Sequence, residues 1–228
     1  MLKKTLFLEY KIRDFEDEEL KMPQADSVMA AFEKLKGVIK LKPDVIWFDY
    51  LMFPGKWTVQ KQGTWKQGIH KDCQFCQGVD RGEKIYQFAK ELLSQIHSSI
   101  KTGFFSMPFA KGEFGGWEQK LGQDVELLGN IFNSISPMLY HRMIDKPTSY
   151  IHEHVVYLSQ FQLKAKILPI IQLKDMPDDV PDTLDLEEIE KAVDEAIKPS
   201  SEGVALFSWD QTIEKGKLEG VSQILRKI

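Results

Sequence analysis

Pro43-Asp44-Val45-Ile46-Trp47-Phe48-Asp49-Tyr50-Leu51-Met52-Phe53-Pro54 is a short, aromatic-rich apolar run closed by proline at both ends. Such a run reads as a strand buried on both faces rather than as a helix. A carboxylate inside it is costly unless it is paired or hydrogen-bonded. Asp49 therefore needs a reason to be there. On a strand, Val45, Trp47, Asp49, Leu51 and Phe53 share one face. A carboxylate at the C-terminal end of a strand in a parallel α/β fold reads as catalytic or ligand-binding. The alternative is a structural aspartate capping a neighbouring loop.

Working outward from this strand, segments of period two alternate with segments of helical period. Further strands are expected at 6–12, 102–108, 134–141, 166–173 and 203–209. Between them, helices are expected from about residue 26 to 39 and at 84–100, 123–132, 150–161, 186–197 and 217–228. Ile85, Phe88, Leu92, Ile96 and Ile100 form one apolar stripe. Alternation of this kind implies βαβ units and a parallel sheet. The segments after strands, at 54–83, 109–122, 141–149 and 173–185, are long, and those before strands are short. That asymmetry predicts a (β/α)8 TIM-barrel-like α/β fold with its site in the βα loops. About six strands are legible where a closed barrel has eight. The expectation is therefore a single domain over 1–228, incomplete at the N-terminus, with Met1 near the third barrel strand and a long loop insertion at 55–83. A doubly wound open sheet is the other option, but no Gly-rich phosphate loop follows any strand.

The chain has 228 residues, 43% hydrophobic and 28% charged, which places it among ordinary globular proteins. A net charge of −4 and the absence of a Lys/Arg stripe argue against a nucleic-acid partner. No apolar run has the length of a membrane span, so no membrane partner is expected. The N-terminal Met1-Leu2-Lys3-Lys4-Thr5-Leu6-Phe7-Leu8-Glu9 lacks the apolar core of a signal peptide. The chain is expected to be cytoplasmic, or exported if a signal lies upstream. No cofactor is expected. Cys73 and Cys76 form the one Cys-x-x-Cys pair. With His70 they allow a Cys/Cys/His metal site, but reduced thiols or a local disulfide fit the lone pair better.

Several segments together resemble a glycoside-hydrolase-like TIM-barrel family related to α-amylase-like barrels. Phe48-Asp49-Tyr50-Leu51-Met52-Phe53-Pro54 looks like its FDYIRFP-type strand. Leu121-Gly122-Gln123-Asp124, followed by Ile135-Ser136-Pro137-Met138-Leu139-Tyr140-His141, is similar to its GQD…SPMVYH pair. Ile167–Gln172 and Gly203–Trp209 look like its last two strands, and Cys73/Cys76 sit where some members carry an FCxxC-like insert. The resemblance spans Val38 to Asp210, about three quarters of the chain. It implies a barrel with carboxylate chemistry on a glycan. The chain departs from the pattern at Met52, where the family has an arginine able to bind substrate oxygens bidentately.

Glycoside hydrolysis normally uses two carboxyl groups. Asp49 is the first candidate catalytic residue. Asp124 and Asp210 lie in family-matched segments and rank next, although Asp124 also suits a helix N-cap. Glu9, Glu113 and Glu118 are further carboxylates. Tyr50, Gln123, Tyr140 and His141, in family-matched segments, are candidate carbohydrate-binding residues, joined by Gln172 as a polar group in an apolar run, Trp209 as an aromatic subsite floor and Trp117 as a ring to stack on a sugar. Trp57 and Trp65, in the polar insertion, are candidate sugar platforms or a partner surface. His152 and His154 lie two apart on a helix and do not face each other as a metal pair would. The acidic run from Met176 to Glu188 reads as a solvated loop and helix start. The expected function is a glycoside hydrolase acting on a poly- or oligosaccharide; the alternative is a non-catalytic carbohydrate-binding or interaction protein on a degenerate barrel.

Overall fold

A computed structural model describes residues 5–9, 25–53, 56–60, 64–68, 78–173, 184–208, 212–213 and 216–227. The chain forms two compact units, residues 1–105 with 111–134, and residues 106–110 with 135–228.

The first unit holds β1 (Thr5–Glu9), α1 (Ala25–Lys40), β2 (Val45–Asp49), β3 (Lys56–Gln60), β4 (Thr64–Gly68), α2 (Arg81–Ser94), β5 (Lys101–Ser106), α3 (Glu113–Leu121) and α4 (Val125–Gly129). The run at 45–49 is a strand with both faces covered, as its apolar continuity demands. β1 pairs with β2 in parallel, Thr5 opposite Val45 through Glu9 opposite Asp49. β2 pairs with β5 in parallel, Val45 opposite Lys101 through Phe48 opposite Phe104. Phe48 and Phe104 pack on Phe132, with ring centroids 5.5 and 5.0 Å away. On the other face Trp47 stacks on Phe105 at 5.3 Å. Gly103 makes room for that indole, because a Cβ there would lie 2.5 Å from Trp47 Cζ3.

Three expectations change here. The insertion holds an antiparallel hairpin, β3 with β4, Lys56 opposite Gly68. The stretch expected as a Gly-rich loop at 110–122 is largely helix α3. That helix is bounded by two left-handed glycines, Gly112 at φ 86° and Gly122 at φ 72°, and it is pinned by buried Trp117 and Leu121. Tertiary packing outweighs the low helix propensity of Gly115 and Gly116. α2 stops at Ser94, so Ile96 and Ile100 lie beyond the helix.

The second unit holds β6 (Ser134–Pro137), α5 (Ser149–Ser159), β7 (Lys166–Ile167), β8 (Ile170–Gln172), α6 (Leu186–Ala196), β9 (Ala205–Phe207) and α7 (Leu218–Leu225). β6 neighbours β7, Met138 bridges Ile170 in parallel, and β8 pairs with β9 in parallel, Gln172 opposite Phe207. The single strand expected at 166–173 is divided at Pro169, which has no N–H to donate to a ladder. Ile151, Val155 and Leu158 of α5, Ile189 and Val193 of α6, and Val221 of α7 form this unit's helical core.

The result is an α/β fold with parallel strand pairing. Among the described residues the strands do not make up a complete (β/α)8 barrel. No described helix is long and apolar enough to cross a membrane.

Candidate functional site

In the first unit the sequence candidates gather at the C-terminal ends of β2 and β5. Asp49 closes β2, half-buried, and its Oδ1 accepts from the Tyr50 amide at 2.8 Å. Tyr50 takes a left-handed conformation, φ 53°, and is 43% exposed. A non-glycine residue held there stores about 1–3 kcal/mol, a strain that clusters at functional sites. The turn continues with Met52 N donating to Tyr50 O at 2.7 Å. The register also sets Glu9 directly beside Asp49, so two acidic residues end adjacent parallel strands.

Gln123 locks this turn from behind. Its Nε2 donates to Phe105 O at 3.0 Å and to Leu51 O at 3.4 Å, while Phe53 N donates to Leu121 O at 2.7 Å. Gln123, expected as a sugar ligand, is 1% exposed, and these bonds hold it to the backbone of β5 and the turn. Trp117, expected to stack on a sugar ring, is 2% exposed and packs in the core. Asp124 caps α4, its Oδ1 accepting from Glu126 N at 2.9 Å and Leu127 N at 3.1 Å. Glu118 is buried and folds back on its own helix, both carboxylate oxygens accepting from Gly112 N.

In the second unit the candidates Tyr140, His141 and Gln172 lie at the C-terminal ends of β6 and β8. Tyr140 stacks on Phe207, the last residue of β9, at 5.4 Å. Gln172 is fully buried, and its Oε1 accepts from the Arg142 amide at 3.2 Å. His141 is buried too, its Nε2 against Glu188 Oε1 at 2.8 Å. Both are expected from sequence to meet substrate hydroxyls; in the fold their first commitments are to the protein. Arg142 completes the cluster by gripping Glu188 with both arms, Nε to Oε1 at 2.7 Å and Nη2 to Oε2. The Arg142 hydrogen bonds, opposed by burial and helped by His141, hold the Glu188 carboxyl down at about 2. Glu188 is thus ionised across the physiological range.

By sequence Glu188 belongs to a solvated acidic run; in the fold it is the hub of this cluster. No local spacing joins it to His141 and Arg142, which lie 47 and 46 positions earlier. Beside this cluster opens a cleft of about 430 Å³ between the 141–148 turn and the first turns of α6. Its walls are mainly charged and polar.

Trp209, Asp210, His70, Cys73 and Cys76 lie outside the described residues. Trp57 and Trp65 fall on the β3–β4 hairpin.

No family model matches the chain, and no curated protein matches it. Solved structures do. The PgaB (BpsB) glycoside hydrolase domain from Bordetella bronchiseptica matches with a TM-score of 0.66 at 11% identity, over 96% of this chain and 74% of that one. A GH18 chitinase from Pseudoalteromonas aurantia matches with a TM-score of 0.55 at 12% identity, over 87% of this chain and 71% of that one. The chain therefore has a glycoside-hydrolase-like fold. At these identities the likeness is one of fold, and it does not extend to the FDYIRFP-type strand motif or to α-amylase-like barrels.

Proposed function

We propose that the chain is a glycoside hydrolase acting on a poly- or oligosaccharide, with carboxylate acid/base chemistry at the C-terminal ends of its parallel strands. The observation that carries this reading is Asp49: an acidic side chain, half-buried, ending a strand covered on both faces, beside a strained and exposed tyrosine. The fold shared with two glycoside hydrolase structures supports the choice of reaction class. Asp49 is the proposed nucleophile or acid/base. Glu9, opposite it in register at the end of the neighbouring strand, is one proposed partner. Asp210 is the other candidate, by sequence alone. Tyr50 is proposed to contact the glycan.

A second reading, a carbohydrate-binding protein without catalysis, draws on a different observation. Asp124, expected as a catalytic partner, is committed to capping α4, and Asp49 accepts a backbone amide.

A reducing-end release assay over α- and β-linked, neutral and amino-sugar glycans separates the two. Release by the wild type, lost by a factor of about 10³ or more in folded Asp49→Asn, supports the hydrolase. Binding without release, unchanged in Asp49→Asn, overturns it and leaves the binding protein.

A further inference from the structure

The cleft beside His141 has a wall composition that selects a ligand class. Its lining includes three basic side chains, Arg142, Lys146 and Lys191, and four carboxylates. Arg142 is neutralised by Glu188, to which it gives two parallel hydrogen bonds. Lys191 pairs with Glu187 at 2.7 Å, with both side chains more than half exposed. An ion pair this open is worth little, so both partners can turn to a ligand at small cost. Lys146 lies over the Tyr150 ring at 5.1 Å.

Pockets for cofactors and flat aromatic ligands are predominantly apolar; this one is not. The charges of either sign are nearly balanced, so a polyanion or a polycation meets like charge on the wall. A neutral polyol meets none, since each hydroxyl can donate to a carboxylate and accept from an ammonium. The buried imidazole adds a specific demand. His141 Nε2 is engaged with the Glu188 carboxylate. Its Nδ1 has no hydrogen-bond partner among the described residues, and a hydroxyl, which can donate as well as accept, suits it.

We infer that the cleft between the 141–148 turn and the start of α6 is a binding site for an uncharged saccharide unit, with Asp145, Glu187 and Lys191 making exchangeable contacts and the His141–Glu188–Arg142 cluster forming its rigid wall. The volume of about 430 Å³ falls in the range of small-molecule sites. The choice of a saccharide among neutral polyols rests on the proposed glycoside hydrolase reading.

The test is titration calorimetry of the full chain with cellotriose and maltotriose, against a triuronate and a glucosamine trimer, repeated on Lys191→Glu and Asp145→Ala. The expected result is binding of at least one neutral trisaccharide in preference to both charged ones. Lys191→Glu and Asp145→Ala each weaken it about tenfold, the scale of one charge-assisted hydrogen bond. No binding of either neutral trisaccharide, tighter binding of a charged one, or binding unmoved by both cleft variants overturns the inference. Hydrolysis that survives the cleft variants leaves the enzymatic reading standing while this site falls. Cleft-dependent binding without hydrolysis does the reverse.

Discussion

Replacing Gly103 by alanine tests how the strand bearing Asp49 is seated. Gly103 pairs with Trp47 across β2 and β5, and the indole fills the space above it. A Cβ at Gly103 would lie 2.5, 2.6 and 2.8 Å from Trp47 Cζ3, Cε3 and Cη2. These distances are well inside contact range, so the ring must move. Phe105, stacked against it at 5.3 Å, limits where it can go. Overpacking of this kind costs about 1–3 kcal/mol. Against that, alanine recovers about 0.5–1 kcal/mol of backbone entropy relative to glycine. The net expectation is a loss of about 1–2 kcal/mol, which at a urea m-value of about 2 kcal/mol/M lowers the midpoint by roughly 0.5–1 M.

Urea unfolding followed by tryptophan fluorescence and far-UV circular dichroism reads this directly. Two further variants make the result specific. Gly37→Ala, in α1 with nothing within 4 Å of a built Cβ, should gain up to about 1 kcal/mol from helix propensity. Trp47→Leu should abolish the Gly103→Ala penalty in a double-mutant cycle. A Gly103→Ala protein as stable as wild type, or a penalty that persists in the Trp47→Leu background, would refute the packing argument. Contact between Trp47 and Gly103 would then no longer account for how the strand under Asp49 is held.

Asp124→Ala should cost about 1 kcal/mol through loss of the α4 cap, seen as a lower unfolding midpoint; if it also erases glycan release while the fold persists, Asp124 has a role in the site as well as in the cap. Stability should fall in mild acid because of His154. Its imidazole is buried, Nε2 has no hydrogen-bond partner among the described residues, and burial lowers its pKa from 6.5 to about 4. Above pH 6.5 the ring is neutral in both states and the group contributes nothing. As pH drops from 6.5 to 4 the unfolded chain takes up the proton first, so stability declines, by about 3 kcal/mol in all at the pH 4 end. Urea midpoints at pH 7.5 and 5 measure it, and His154→Phe should flatten the dependence over that interval; an unchanged slope would locate the acid sensitivity elsewhere.

Much of the fold is legible in the sequence because period and punctuation agree. The run at 45–49 could only be a buried strand, and α5 and α6 follow from apolar residues at helical spacing with turn residues outside. Elsewhere long-range packing overrides local preference. Gly115 and Gly116 argue for a loop, yet Trp117 and Leu121 draw α3 into the core. Lys-Trp-Thr-Val-Gln and Thr-Trp-Lys-Gln-Gly are too polar to declare a hairpin by hydrophobic alternation alone, and they become one through backbone pairing. The site is legible by residue type and obscure by role. A buried glutamine or histidine at a strand end looks the same in sequence whether it meets a ligand or a backbone carbonyl. Gln123 turns to Leu51 and Phe105, and His141 to Glu188. Glu188 itself is invisible in sequence because its partners come from a turn far earlier in the chain.

The Phe53 ring lies beneath the Arg81 guanidinium at 5.3 Å, and Arg81 Nη1 donates to Lys120 O. Phe53 and Arg81, the residues that flank the insertion, are therefore held together in the first unit. Loop-closure entropy grows only slowly with length when the ends are already fixed together. Changes in the length of the stretch between these two residues are therefore expected to disturb β2 and α2 little. The same contact marks a graft position for a foreign segment, with Asp49 expected to keep its seat.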